Sequence, residues 1–130
     1  MKVEEKVKFE KPWILVDKVI SQIENRRIIT QKLISSSDFF IRGHFKNYSI
    51  YPGMLLVESI KQSIELMYPT TPIEHERVVT RFIHMVKPGD TVTFTIELKH
   101  KQNNKIEYAA KGKVGETLVI RTMHIFTIGE

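Results

Sequence analysis

One segment of this sequence has the pattern of a long helix that must be buried. Residues Gly53–Met67 directly follow Pro52, which suits the first turn of a helix because its missing N–H would have no intrahelical partner there. The helix is expected to end before the proline-containing segment Tyr68–Pro72. Its first two turns are apolar around most of their circumference, so we expect the rest of the chain to pack closely around it.

Strand patterns on both sides of this helix supply the packing partner. β-branched residues from Trp13 to Ile23 and from Arg27 to Ile34 predict a hairpin with its turn at Glu24-Asn25. Further strands are predicted over 77–87, 91–101, 105–114 and 117–127, with turns at Lys87–Asp90, Asn103-Asn104 and Gly115-Glu116. One buried helix followed by a run of antiparallel strands is an α+β pattern. We therefore expect one domain over residues 1–130, in which a curved antiparallel sheet wraps around one central helix.

Composition excludes several classes of protein. The chain has no cysteine, which excludes disulfides and thiolate chemistry. Its charged N-terminus does not resemble a signal peptide, and no apolar run approaches the length of a membrane span, so a cytoplasmic location is expected. The net charge of +5 suits a solubilising surface, an acidic carrier protein or a phosphorylated substrate handle. Because the basic residues are scattered, nucleic acid is not expected as a partner.

The segment Asp38–Gln62 contains three kinds of group that can do chemistry. His44 has a side chain that titrates near neutral pH and can act as a base. The N–H groups at the helix start, at Gly53 and Met54, lack intrahelical partners and carry partial positive charge, so they can polarise a carbonyl. Glu58, one turn further along, adds a carboxyl group that can perform a second proton transfer.

The same helix also has a purely structural interpretation. Four polar residues recur at helical spacing and form one stripe: Glu58, Lys61, Gln62 and Glu65. This spacing predicts a solvated face with Glu58–Lys61 and Lys61–Glu65 ion pairs. A single histidine after a glycine is also more often structural than catalytic. Spacing alone therefore leaves both interpretations open.

The segment resembles the signature of the FabZ-type β-hydroxyacyl–acyl-carrier-protein dehydratases, F-F-x-G-H-F-P-G-x-P-x-x-P-G-V-L-x-x-E-A-x-A-Q. The matching residues are Phe40, Gly43, His44, Phe45, Pro52, Gly53, Leu55, Glu58 and Gln62. Two other segments extend the resemblance over nearly the whole chain. Trp13–Val19 is similar to the family's P-F-L-L-V-D-R-V, and Arg81–Asp90 is similar to its F-x-x-P-V-x-P-G-D. Glu rather than Asp at position 58 favours this type over the related isomerising dehydratases.

This resemblance implies a fold, an assembly and a reaction. The fold is the hotdog fold, and the assembly is a homodimer or a trimer of dimers. The reaction removes water from a (3R)-hydroxyacyl thioester to give the trans-2-enoyl thioester, in fatty-acid or related acyl-chain or polyketide biosynthesis. The substrate would arrive on the phosphopantetheine arm of acyl carrier protein or on coenzyme A. No metal or redox cofactor is implied.

The resemblance also assigns roles to individual residues. His44 abstracts the α-proton, Glu58 protonates the departing β-hydroxyl, and the Gly53 amide polarises the thioester carbonyl. Further contacts with the substrate are expected from Phe45, Met54 and Gln62. The acyl chain would lie in an apolar tunnel beside the helix.

The chain departs from the family pattern at several places, which include Tyr51 and Ser59. Lys46–Ser49 replaces the usual P-G-x-P after His44, and Lys61 and Glu65 stand where small residues are usual. The acyl chain served therefore stays open. So do two other functions: a hotdog thioesterase with Glu58 as base or nucleophile, and a non-catalytic module that binds acyl thioesters.

Histidines elsewhere in the chain do not predict a metal centre. They are His75, His84, His100 and His124. None has a neighbour at a metal-ligand spacing such as that of H-E-x-x-H. We therefore expect no metal site.

Overall fold

The computed structural model describes residues 15–35, 53–67 and 73–128, with the backbone alone over 73–75. Its elements are β1 (Lys18–Ile23), β2 (Arg27–Leu33), α1 (Gly53–Met67), β3 (Ile73–Phe82), β4 (Thr91–Gln102), β5 (Lys105–Val114) and β6 (Thr117–Ile128). The helix has the predicted bounds. The predicted His44 and Phe45, and the Tyr68–Pro72 segment, lie outside the described residues.

The six strands form a single antiparallel sheet in the order β1-β2-β4-β5-β6-β3. Strands β1 and β3 are its two edges. Helix α1 packs on one face of this sheet, mainly against β2 and β4. The predicted α+β class is confirmed, with one helix against a curved antiparallel sheet.

The core lies between α1 and the inner face of the sheet, the face on which the helix packs. Alternation along β4 places Val92, Phe94 and Ile96 on this face, and all three are fully buried. From the helix, Leu56 and Ile60 pack into the same cluster. Burial of each large aliphatic or aromatic side chain contributes about 1.5–3 kcal/mol, so this contact supplies much of the driving force for folding.

The predicted turns are confirmed by their backbone conformations. Asn25 and Asn103 have φ values of 59° and 55°, in the left-handed region that asparagine tolerates better than most residues. Gly115 has φ 58° and turns the chain between β5 and β6. In the Lys87–Asp90 turn, the Asp90 N–H donates to the Lys87 carbonyl at 3.0 Å, and the Lys87 N–H donates to Asp90 Oδ2 at 2.8 Å.

Two strand boundaries were predicted wrongly. The first strand begins at Lys18, and the residues before it follow another path: the Leu15 N–H donates to Gln62 Oε1 of α1 at 2.7 Å. Residue 15 is therefore tied to the helix rather than to a neighbouring strand. The predicted residues 13 and 14 lie outside the described part of the chain.

The strand predicted over 77–87 is Ile73–Phe82 in the structure. Its regular pairing stops where the N–H groups of Ile83 and His84 both donate to the carbonyl of Val119, at 2.9 and 3.2 Å. Its start was missed because charged and imidazole side chains interrupt the apolar pattern there. As an edge strand, β3 pairs with β6 alone and does not require apolar residues on both faces.

A pair of hydroxyl groups joins α1 to β2, and two serines of the helix also bond its backbone. Ser59 Oγ donates to the Leu55 carbonyl at 2.9 Å, and Ser63 Oγ donates to the Ser59 carbonyl at 2.8 Å. Thr30 Oγ1 of β2 lies 2.8 Å from Ser63 Oγ, and both side chains are fully buried. Because the Ser63 proton is used within the helix, Thr30 is the donor in this bond.

His124 is a buried, neutral histidine on the inner face of β6. Its Nε2 lies 2.7 Å from Thr122 Oγ1, and its ring stacks on Phe126 with centroids 6.2 Å apart. Burial, and secondarily the positive charge of Lys61, lower the pKa of His124 to about 4. The imidazole is therefore uncharged at neutral pH.

We predict that Ser63→Ala destabilises the fold by about 1–3 kcal/mol, because the buried Thr30 hydroxyl loses its partner. The double variant Thr30→Val with Ser63→Ala should recover part of this loss, since neither polar group remains. Ser59→Ala is the control, as its hydroxyl bonds within its own helix. Urea unfolding compares wild type with these three variants and with the single variant Thr30→Val. A double variant as unstable as the sum of Ser63→Ala and Thr30→Val would contradict the assignment.

We also predict an acid-sensitive contribution from His124. The group titrates at about 4 in the folded chain and near its ordinary 6.5 when unfolded, so the unfolded chain takes up the proton first as pH falls. The free energy of unfolding should therefore decrease from about pH 6.5 towards pH 4, by at most about 3 kcal/mol from this group. In His124→Gln, the free energy of unfolding should decrease less between pH 7.5 and 4, by that amount. Urea unfolding at several pH values measures this change. A curve of unchanged slope would show that His124 does not titrate in this way.

Candidate active site

The start of α1 is the part of the helix that the sheet leaves uncovered. Met54 is 68% exposed, whereas Leu56 and Val57 are already buried. The first N–H groups of a helix have no intrahelical partner, so this end presents donors and a partial positive charge. The two oxyanion candidates, Gly53 and Met54, thus stand at an open helix end.

Gly53 is where the helix start meets β3. A Cβ built at this position would lie 2.7 Å from Cε1 of Phe82, closer than two carbon atoms can approach. The missing side chain thus makes room for the Phe82 ring beside the first turn. The space that the missing Cβ of Gly53 leaves is thus taken by this ring.

An open cleft of about 420 Å³ surrounds this helix end. Its walls include Gly53, Met54, Phe82, Ile83, His84 and Met85. Four of these residues are large apolar side chains that are 45–68% exposed. A cleft with apolar walls and a few backbone donors is typical of a small-molecule site.

Glu58 lies one helical turn beyond Met54, on the same side of α1, because residues at i and i+4 are neighbours on a helix. Its side chain is partly buried. No ion pair or hydrogen bond joins its carboxyl group to another of the described residues. Glu58 therefore lies one turn from the cleft residue Met54, and its carboxyl group has no partner among the described residues.

The ion pairs predicted along the helix were wrong. Lys61 does not pair with Glu58 or Glu65; its Nζ lies 3.1 Å from Glu76 Oε1 on β3. The lysine thus reaches across from the helix to the edge of the sheet. The polar stripe of α1 therefore contacts β3 through Lys61, in addition to lying at the surface.

Gln62 has a structural partner. It is 1% exposed, and its Oε1 accepts the hydrogen bond from the Leu15 N–H described above. This bond fixes the residues before β1 against the helix. Contact between Gln62 and substrate stays a prediction. In any such contact, the Gln62 side chain would also have to keep its bond with the Leu15 N–H.

His84 is a cleft residue that the sequence did not indicate as part of the site. It lies in the loop after β3, its side chain is exposed, and Nδ1 is 3.1 Å from the Met85 carbonyl. His84 belongs to the segment that is similar to F-x-x-P-V-x-P-G-D. That similarity alone does not indicate that His84 lies near Gly53. Pairing of β3 beside the helix start is what brings the two together.

Two kinds of feature are absent from the residues that the structure describes. No three His, Asp or Glu side chains there lie together as they would around a metal ion. No helix in that part of the chain is long and apolar enough to span a membrane.

Comparisons with known proteins identify the family. The family model for the ApeI dehydratase, named ApeI-like, matches residues 20–120. The 3-hydroxyacyl–acyl-carrier-protein dehydratase FabZ of Desulforamulus reducens is 28% identical over 92% of this chain and 89% of its own length. The FabZ of Oenococcus oeni is 30% identical over 72% of each chain.

Two solved structures have the same fold. The dehydratase heterocomplex ApeI:P from Xenorhabdus doucetiae aligns with a TM-score of 0.77 and 12% identity, over 100% of this chain and 92% of that one. A hypothetical thioesterase with coenzyme A from Streptococcus pneumoniae aligns with a TM-score of 0.70 and 10% identity, over 86% and 84%. At these identities the likeness concerns the fold, and the expected hotdog fold is confirmed.

The family match covers most of the chain, and the FabZ relatives align along most of their own length. The expected dehydratase resemblance is therefore confirmed. The chain belongs to the ApeI-like dehydratases and is a hydro-lyase.

Proposed function

We propose that this protein removes water from a (3R)-hydroxyacyl thioester carried on acyl carrier protein, giving the trans-2-enoyl thioester, in fatty-acid or related acyl-chain biosynthesis. One observation carries the proposal: α1 begins inside an apolar cleft of about 420 Å³, and Glu58 lies one turn beyond its wall. The FabZ relatives, which are 3-hydroxyacyl–acyl-carrier-protein dehydratases, support the substrate class. The cytoplasmic location stays a prediction.

The helix end would bind the thioester carbonyl. Removing a proton next to a carbonyl places negative charge on its oxygen. The N–H groups at Gly53 and Met54 and the helix dipole would stabilise that charge. A donor of this kind typically contributes about 3–4 kcal/mol to transition-state stabilisation. The apolar walls would exclude water and strengthen the interaction.

Two proton transfers complete the reaction. His44 would take the α-proton, and the electrons of that C–H bond would form the new C=C bond. The C–O bond at the β-carbon would break at the same time or afterwards, and Glu58 would give its proton to the departing oxygen to form water. Each positioned acid or base typically contributes about 10²–10⁴ in rate. This sequence of steps needs no metal or redox cofactor.

The position of Lys61 is compatible with Glu58 as the acid. A general acid must hold a proton, and a cation beside it would favour the charged form instead. Because Lys61 pairs with Glu76, its ammonium group is drawn towards β3. This supports the acid role more than the pairing predicted from helical spacing would.

The assembly is proposed as a homodimer, or a trimer of dimers, in which β3 pairs with β3 of a second copy. Strand β3 is a ten-residue edge, and among the described residues β6 is its one partner strand. Val79 and Phe82 on this strand are each 52% exposed. Long edges with exposed apolar residues favour pairing with another chain. Because β3 also borders the cleft, such pairing would bring the second copy close to the site.

The deciding experiment is incubation of the protein with 3-hydroxyacyl thioesters of several chain lengths, on acyl carrier protein and on coenzyme A. Mass spectrometry should detect loss of one water molecule, with faster turnover on the carrier protein. Release of a free thiol would instead indicate a thioesterase. Binding with neither product would indicate a module without catalysis.

We predict that His44→Ala lowers dehydration by about 10²–10⁴-fold without unfolding the protein, since the α-proton base is lost. His100→Ala is the matched control, because His100 is exposed on β4 and bonds Gln102 at 3.1 Å, away from the cleft. Initial rates and melting temperature are measured for both. A His44→Ala protein that keeps more than a few per cent of wild-type activity rules out the assignment.

We further predict that each site combines His44 of one copy with Glu58 of the other. Inactive His44→Ala and Glu58→Ala proteins are mixed, partly unfolded and allowed to reassociate. With random pairing, about half of the dimers are mixed, and one of the two sites in each has both native groups. Activity should then recover to about a quarter of wild type.

If His44 and Glu58 act within one chain, every site in every dimer carries a lesion. Exchange of subunits is verified with two differently tagged chains and native mass spectrometry. Verified exchange without recovered activity disproves the shared site.

A further inference from the structure

The outer face of the sheet, the face opposite α1, carries a row of three positive charges. Arg81 of β3 is the register partner of Arg121 of β6, and Arg121 is the register partner of Lys111 of β5. Their chain neighbours Ile120, Thr122 and Ala110 are buried on the other side. Because side chains alternate along a strand, the three cations therefore share the outer face. We name them the cation row.

This arrangement costs the fold stability. Directly opposed residues on antiparallel strands have Cβ atoms about 4.5–5.5 Å apart, and like charges at that separation repel. Within the part of the chain that the structure describes, no acidic side chain forms an ion pair with any member of the cation row. The nearby acid Glu97 lies 3.7 Å from Lys99 instead. Packing of the domain does not explain why all three positions are basic.

The cation row borders a shallow hollow of about 400 Å³. The next row of the sheet, formed by Val79, Met123 and Ala109, supplies an apolar floor. Val79 is 52% exposed, so this floor is open to solvent. Glu97 and Lys99 of β4 also line the hollow, where Glu97 is the register partner of Ala109. The hollow thus combines three cations on one side with an apolar floor, and at the β4 end of this floor lies a carboxylate whose charge Lys99 offsets.

We propose that this hollow binds a small phosphate-bearing ligand of the nucleotide class. Arginine binds phosphate through two parallel N–H···O bonds, and the row contains two arginines with a lysine beside them. Three strands at about 4.8 Å spacing place the outer members about 10 Å apart, a span that suits two adjacent phosphate groups. The apolar floor would contact the flat body of the ligand. A bound diphosphate would also relieve the repulsion within the cation row.

The proposed site is separate from the dehydratase cleft, because the sheet lies between the hollow and α1. Its ligand is therefore not the acyl thioester undergoing dehydration. Free nucleotides and coenzyme A share the required diphosphate chemistry, and different probes distinguish them.

Calorimetric titration with inorganic pyrophosphate, ADP and coenzyme A tests the site on the intact protein. We expect saturable binding of pyrophosphate, and tighter binding of whichever of the other two uses the apolar floor. Arg121→Glu should weaken binding at least tenfold, since a charge-assisted contact is lost and a repulsive charge is added. Arg77→Glu is the matched control, because Arg77 lies on the outer face of β3 opposite Ile125, outside the hollow.

Two further measurements separate binding from folding and from catalysis. Arg121→Glu replaces two like-charge pairs by opposite-charge pairs, so its melting temperature should stay equal or rise. Dehydration of a hydroxyacyl thioester by this variant should match wild type. Absence of binding by all three probes at millimolar concentration, or equal losses in Arg121→Glu and Arg77→Glu, overturns the proposal. The proposal is also overturned if a short DNA duplex binds more tightly than the three probes and its binding is weakened equally by Arg121→Glu and Arg77→Glu.

Discussion

Burial of α1 is the constraint on which the rest of the fold depends. Residues on several sides of this helix are inaccessible to solvent, including Leu56, Ile60 and Gln62. A helix of this kind cannot stand at a surface, so strands from both sides of it in the sequence must close around it. The register of β2 with β4, from Arg27 opposite Glu97 to Leu33 opposite Thr91, performs that closure. A strand that precedes the helix in the sequence is thus paired with one that follows it.

The same burial explains where the site lies. Two buried polar side chains of α1 have partners within the domain: Ser63 bonds Thr30, and Gln62 accepts the bond from Leu15. Such bonds fix the rotation and depth of the helix, because unpaired buried polar groups would be costly. With later turns held in this way, the first turn lies at the end of β3, where Phe82 packs against Gly53 and Met54 is exposed. The apolar cleft around Met54 is a consequence of that placement.

The sequence predicted what depends on local chemistry. Proline before Gly53 and prolines after Met67 set the helix bounds, and residues suited to positive φ, such as Asn25 and Asn103, set the turns. The predictions from sequence were wrong where the structure depends on residues far away in the chain. The start of β3 is hidden by charged residues, because an edge strand needs only one partner strand and partial burial.

Side-chain contacts show the same limit. Helical spacing offered Glu58 and Glu65 as partners for Lys61, but the partner is Glu76, which no local rule indicates. Likewise, the position of His84 beside Gly53 follows from the placement of β3 next to the helix start. The roles of the candidate site residues stay predictions, and the contacts found around the helix could not be derived from local spacing.

The Lys61–Glu76 pair links the proposed site to the proposed assembly. Lys61 follows Glu58 by one turn of α1, while Glu76 belongs to β3, the edge available to a second copy. The charge of Lys61 also contributes to the lowered pKa of the buried His124. The Lys61–Glu76 ion pair thus joins α1 to the edge strand. Pairing of β3 with a second copy would therefore reach the helix through an existing contact, and the site would acquire its final geometry together with the dimer.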